Sequence, residues 1–264
     1  MSDLTAIDAD GHVIEKESDI RKYLQEPWNR RSTALRPGDQ PWDNHMFDSF
    51  QSERVWGKLS PREQIARWHE LMDEHQIETA VCFPTGSGSI VRLQEVPFQI
   101  AVARACNDHF AAEYNAFSDR VKCVGVLPMR SPQAAAEEVE RAVKERGIIG
   151  FEILPPGLPV ALGDSFYDPV YAAAEKCGAV LGIHGTRSWS REFGGLEHFR
   201  GSSRLRFYRR HLAAIYQHDL PRSAGAFSQT AHGVPGDWRD LVAVLSGSPR
   251  RALGKTRAIR DASA

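Results

Sequence analysis

The chain has 264 residues, a formal net charge of −1 and 25% charged residues. That length suits one α/β barrel of about 250 residues or two modest domains, and it can bury a sizeable core. No apolar run approaches bilayer-spanning length, and Met1 to Thr5 has neither the basic start nor the apolar stretch of a signal peptide, so a cytoplasmic protein without membrane contact is expected.

Taken in order, the chain opens on a short apolar run, Leu4 to Ile7, read as a buried strand that ends in Asp8-Ala9-Asp10-Gly11-His12. Residues 18–28 read as a short helix, and the polar, aperiodic stretch 30–56 reads as a long loop. Ser60-Pro61-Arg62-Glu63 combines an N-cap serine, a proline at the first helical position and a capping-box glutamate, so a helix is predicted from Pro61 to about His75. Residues 77–85 follow as a buried strand ended by Pro84, and residues 96–117 as a helix. A strand at 121–128, a helix from Ser131-Pro132 to Arg146 and a strand at 148–154 come next. Asp168-Pro169 then opens a helix to Lys176, and 178–183 is the last predicted strand.

These five strands alternate with helices over connections long enough for parallel crossovers, which fits an α/β fold, either a (β/α)8 barrel or an open doubly wound sheet. The cysteines, Cys82, Cys106, Cys123 and Cys177, lie far apart in apolar patterns and read as buried thiols.

Two strand ends carry the chemistry. Strand alternation places Asp8, Asp10 and His12 on one face, and Gly11 lets the backbone turn between them. Carboxylate oxygen and imidazole nitrogen are ligands that zinc and similar divalent metals accept. A strand end whose polar residues meet solvent is the plainer reading of that motif alone. His184 follows the strand 178–183 directly. In a parallel barrel the first and fifth strand ends face each other across the mouth, so Asp10, His12 and His184 converge, and three protein ligands with an open position is the pattern of a catalytic metal site. Arg187 is a candidate clamp for a substrate carboxylate, and Phe83 and Trp189 are candidate pocket walls.

Asp8 to Val13, Gly150-Phe151, Asp164 to Glu175 and Ile183-His184-Gly185-Thr186-Arg187 together resemble the amidohydrolase-2 family, the branch with aminocarboxymuconate-semialdehyde decarboxylase and the hydroxybenzoate-type decarboxylases. The resemblance runs over residues 1–199. It implies a distorted (β/α)8 TIM barrel, metal ligands at Asp10, His12 and His184, a divalent metal that is zinc or manganese, and a small carboxylated or aromatic-derived substrate acted on by hydrolysis or decarboxylation. A homo-oligomer is compatible with it. Many family members have His or Glu where this chain has Asp10. The family also implies a later general acid-base His and a last-strand Asp. Neither is recognisable here, since His198, His211, His218 and His232 lie in or beside an atypical tail. On that reading the barrel is incomplete, with about five of its eight strands, and an inactive barrel fragment is the alternative to an enzyme.

Residues 200–264 carry 12 Lys and Arg against 4 Asp and Glu, whereas residues 1–199 carry 21 against 30. The tail has no Glu, no Met and no apolar periodicity. Without interleaved aromatic residues its Arg pairs do not read as a nucleic-acid surface. Permitted codons for Ala224 to Arg257, read one nucleotide later, spell a Phe-Pro turn, a buried-strand pattern and an amphipathic helix similar to the family's next segment. A frame slip near residues 199–205 is therefore expected. The coding DNA tests it: a reading in which no single-base change restores that segment refutes the slip.

Overall fold

A computed structural model of the chain describes residues 6–32, 56–155 and 157–184. Most of the predicted loop at 30–56, Arg187, Trp189, the late histidines and the tail from residue 200 lie outside the described residues.

Strand β1 (Ala6–Val13) is followed by one helical turn, α1 (Glu17–Ile20), continued as a 3-10 turn at Arg21–Tyr23. The predicted helix at 18–28 goes no further: Leu24 is already extended, and Pro27, which offers no N–H, blocks its continuation beyond that point. A second 3-10 turn begins after it, at Trp28–Arg30. Helix α2 (Pro61–Glu74) starts as predicted: the Ser60 hydroxyl accepts from the Glu63 N–H at 3.4 Å, and Glu63 Oε2 accepts from the Ser60 N–H at 2.7 Å.

The remaining elements alternate. They are β2 (Ile77–Pro84), α3 (Val96–Glu113), β3 (Val121–Cys123), β4 (Gly125–Val126), α4 (Pro132–Arg146), β5 (Gly150–Ile153), α5 (Asp168–Cys177) and β6 (Val180–Ile183). Helices α4 and α5 both stop on a left-handed glycine, Gly147 at φ 67° and Gly178 at φ 65°, a backbone geometry that glycine adopts without the penalty a side chain brings.

Every strand pairing is parallel, and the strands follow chain order as β1-β2-β3 and β4-β5-β6. A doubly wound sheet reverses its strand order at a switch point, and no reversal occurs among the described residues. The chain winds in one direction, as a barrel does. The predicted strand at 121–128 is split into β3 and β4 at Val124, whose N–H donates to the Cys82 carbonyl at 3.0 Å. The first half therefore pairs with β2 and the second with β5.

Helices pack on the strands around a core that includes Phe98 and Phe110 from α3, Tyr114 just past its end, Met72 from α2, Phe151 from β5 and Ile148. Cys82, Cys106 and Cys123 are buried and unbridged, and Cys177 is half-buried. Ile7 departs from the expected buried strand, with 52% of its surface exposed. It lies on β1, the outer strand of its sheet, where no strand covers the far side among the described residues.

Candidate metal centre

The C-terminal ends of β1 and β6 meet. Asp10, His12 and His184 each offer a ligand atom, and these atoms all lie within 4.8 Å of one another. His184 Nε2 is 3.6 Å from Asp10 Oδ1, and the two imidazole rings stand edge-on with centroids 5.0 Å apart. Convergence of these three groups is what the barrel reading of the strand ends predicted.

Asp8 does not join them. Between Asp8 and Gly11 the register of β1 against β2 slips: Asp8 pairs with Ala80 and Gly11 with Cys82, so β1 carries one extra residue. That bulge breaks the strand's two-residue period. Asp8 Oδ1 instead accepts the Asp10 N–H at 3.0 Å. Gly11 also has a different role from the one expected. A Cβ there would sit 3.0 Å from Cys82 Sγ and 3.1 Å from the Trp68 ring, so the residue is small because Trp68 packs against the strand. Trp68 Nε1 donates to the His12 carbonyl at 3.1 Å and pins the strand end.

The segment after β1 is tied down equally well. Gln64 of α2 accepts from the Ile14 N–H and donates to the Ile14 carbonyl, both at 2.9 Å. The buried Glu15 carboxylate accepts from the Thr85 N–H at 3.1 Å, the Gly86 N–H at 2.8 Å, the Ser87 hydroxyl at 2.7 Å and the Ser87 N–H. The loop after β2 is thereby held against the loop after β1.

His184 is held on several sides. Its N–H donates to the Ile153 carbonyl at 3.0 Å, extending the β5–β6 ladder by one residue. Phe83 stacks on its ring at 4.8 Å and 22°, so this candidate pocket wall touches the site. His184 Nδ1 lies 3.1 Å from Glu152 Oε1. Sequence reasoning passed over Glu152. The available signal was a carboxylate inside Gly150-Phe151-Glu152-Ile153, a strand whose every residue is buried.

Burial and the neighbouring His184 lower the pKa of His12, so its ring is neutral at pH 7 and free to ligate. Burial pulls the other way on His184, but hydrogen bonds to the Asp10 and Glu152 carboxylates outweigh it and raise its pKa to about 9. Burial raises the pKa of the Glu152 carboxyl, and the facing His184 ring opposes that rise.

A parallel α/β barrel wall gathers a carboxylate and two imidazoles at its C-terminal face, a donor set that could hold a divalent cation. The chain matches the amidohydrolase family over residues 7–243 and belongs to it. It is 38% identical over 81 residues to gamma-resorcylate decarboxylase of Rhodococcus jostii, covering 31% of this chain and 24% of that protein. It is 36% identical over 143 residues to the same-named enzyme of a Rhizobium species, covering 52% of this chain and 36% of that protein. The alignments therefore span about a third or less of the length of these relatives.

Among solved structures, 2,6-dihydroxybenzoate decarboxylase from Rhizobium superposes with a TM-score of 0.53 at 20% identity, covering 81% of this chain and 61% of that one. Dihydroxybenzoic acid decarboxylase from Polaromonas, with bound manganese and the inhibitor 2-nitroresorcinol, gives a TM-score of 0.56 at 18% identity, covering 80% and 60%. These structures share the barrel fold.

Proposed function

We propose that this chain is a metal-dependent decarboxylase of a hydroxylated benzoate, with Asp10, His12 and His184 holding a divalent cation. The observation that carries the reading is their convergence within 4.8 Å at the mouth of a parallel barrel. One carboxylate with two imidazoles is a donor set that both manganese and zinc accept, so the residues present fit the ion. Manganese is the better supported, because the Polaromonas neighbour is described with it. Decarboxylation is favoured over hydrolysis because the relatives bear that name.

When bound, the cation supplies Lewis-acid charge that holds a substrate carboxylate or an adjacent phenolic oxygen. The chain's own residues do the rest. Asp10 sits at the open side, with 68% of its side chain exposed, where it meets an incoming ligand. Phe83 walls the inner side and excludes water from the His184 ring. Trp68 fixes the strand end that carries His12, and Glu15 fixes the loop that follows it. Arg187 is assigned to the substrate carboxylate, and the proton that replaces carbon dioxide comes from a group outside the described residues. The substrate is a small molecule. The out-of-frame origin assigned to the tail from residue 200 stands against a family match that runs to residue 243, and the coding DNA decides between them.

Purified protein loaded with Mn2+ or Zn2+ and given 2,6-dihydroxybenzoate is expected to release carbon dioxide and resorcinol in equal amounts, followed by chromatography. A loaded protein that leaves hydroxybenzoates intact but hydrolyses an aryl amide would replace this reading with the hydrolase one.

A further inference from the structure

We propose that Glu152 is a positioning residue: it accepts the Nδ1 proton of His184 and so presents Nε2 of that ring, beside Asp10 and His12, to a divalent cation. The inference rests on the metal-site reading above and adds a residue to it.

Glu152 is the wrong residue for its surroundings unless it has such a task. Its side chain is 2% exposed within an apolar strand, and a buried carboxylate is costly unless it is well partnered. Among the described residues its Oε2 has no hydrogen-bond partner. Its Oε1 faces His184 Nδ1 at 3.1 Å. The strand register explains the meeting. Glu152 pairs with Gly182, and His184, two residues further on, returns to the same face.

Two glycines shape the space around the pair. A Cβ on Gly88 would lie 2.2 Å from Glu152 Oε2, so only a bare backbone lets the 3-10 turn Ser87–Arg92 close over the carboxylate. A Cβ on Gly182 would lie 2.9 Å from the Phe83 ring, so the bare backbone there lets Phe83 reach the His184 face. The imidazole is thus held by Glu152 at Nδ1 and by Phe83 on its face, while the backbone N–H of His184 donates to the Ile153 carbonyl. Nε2 is the ring atom left to point at Asp10. A carboxylate that takes the second N–H of a ligating histidine fixes its tautomer and raises its basicity, and losing such a partner typically costs about 10–100-fold in metal affinity.

A purely structural role, tying β5 to β6, predicts something else. Those strands are already joined by their backbone ladder from Gly150 to Ile153, so the side-chain contact adds little to the pairing. Glu152→Leu is expected to bind Mn2+ about 10–100-fold more weakly than the unaltered chain by calorimetric titration. Glu152→Gln, which keeps an acceptor oxygen, is expected to recover most of that loss. Nitrogen-15 spectra of the unaltered, Zn2+-loaded chain are expected to show His184 protonated at Nδ1 and metal-bound at Nε2, a readout that requires no variant to fold.

Equal Mn2+ affinity in Glu152→Leu and the unaltered chain overturns the inference alone. So does a spectrum with the metal on Nδ1. An unaltered chain that binds neither cation overturns the metal-site reading and takes this inference with it.

Discussion

His184→Ala is expected to abolish stoichiometric divalent-metal binding, and His12→Ala to do the same. A site with three protein ligands has none to spare, so the loss should exceed the roughly 10–100-fold that removing an orienting partner costs. Metal content after gel filtration, compared with the unaltered chain, reads it directly. The pH dependence has a definite sign. With a pKa raised to about 9, His184 is protonated at pH 7 and must release that proton before it can bind a cation, whereas His12, its pKa lowered, is already neutral. Affinity should therefore rise with pH, by about tenfold per unit between pH 7 and 9, and level off above that. A flat profile over that interval would mean that His184 has no proton to release there on binding the cation.

Asn107→Ala is expected to be the most damaging single change away from the site. Asn107 is fully buried on α3 and joins three elements. Its Oδ1 accepts the Val126 N–H of β4 at 2.8 Å, and its Nδ2 donates to the Val126 carbonyl at 3.0 Å and to Glu138 Oε1 of α4 at 2.7 Å. Glu138 is itself buried, with Arg141 donating to both of its oxygens at 2.8 Å. Removing the amide leaves the two Val126 backbone groups short of a partner, at about 1–3 kcal/mol each when buried, while Glu138 Oε1 keeps Arg141. A loss of roughly 2–6 kcal/mol follows, measured as a lower urea midpoint with an unchanged slope. A loss below about 1 kcal/mol would show that water replaces the amide.

The resemblance and the residue patterns led to the same three candidate ligands by separate routes. Asp10, His12 and His184 were legible because each ends an apolar strand, and the parallel barrel brings strand ends to one face. The capping box at Ser60 and Glu63, and the glycines that stop α4 and α5, were legible for a more local reason: their hydrogen bonds or backbone angles lie within one turn of chain. Asp8 was misplaced because alternation assumes a regular strand, and the bulge opposite Ala80 and Cys82 is set by pairing with β2. Gly11 was read as a pivot when its real neighbour is Trp68, 57 positions along the chain.

The alternation of strands and helices, the capped helix starts at Ser60 and Ser131, the glycine stops of α4 and α5 and the chemical types gathered at the mouth were thus legible in the chain, since these depend on periodicity and on contacts within a few residues. Tertiary structure decided what depends on register between distant strands. It made the sheet wind one way rather than reverse, turned Asp8 out of the cluster, and set Phe83 and Glu152 against the imidazole of His184. Strand register is fixed by which apolar faces pack together, and that is a property of the assembled sheet.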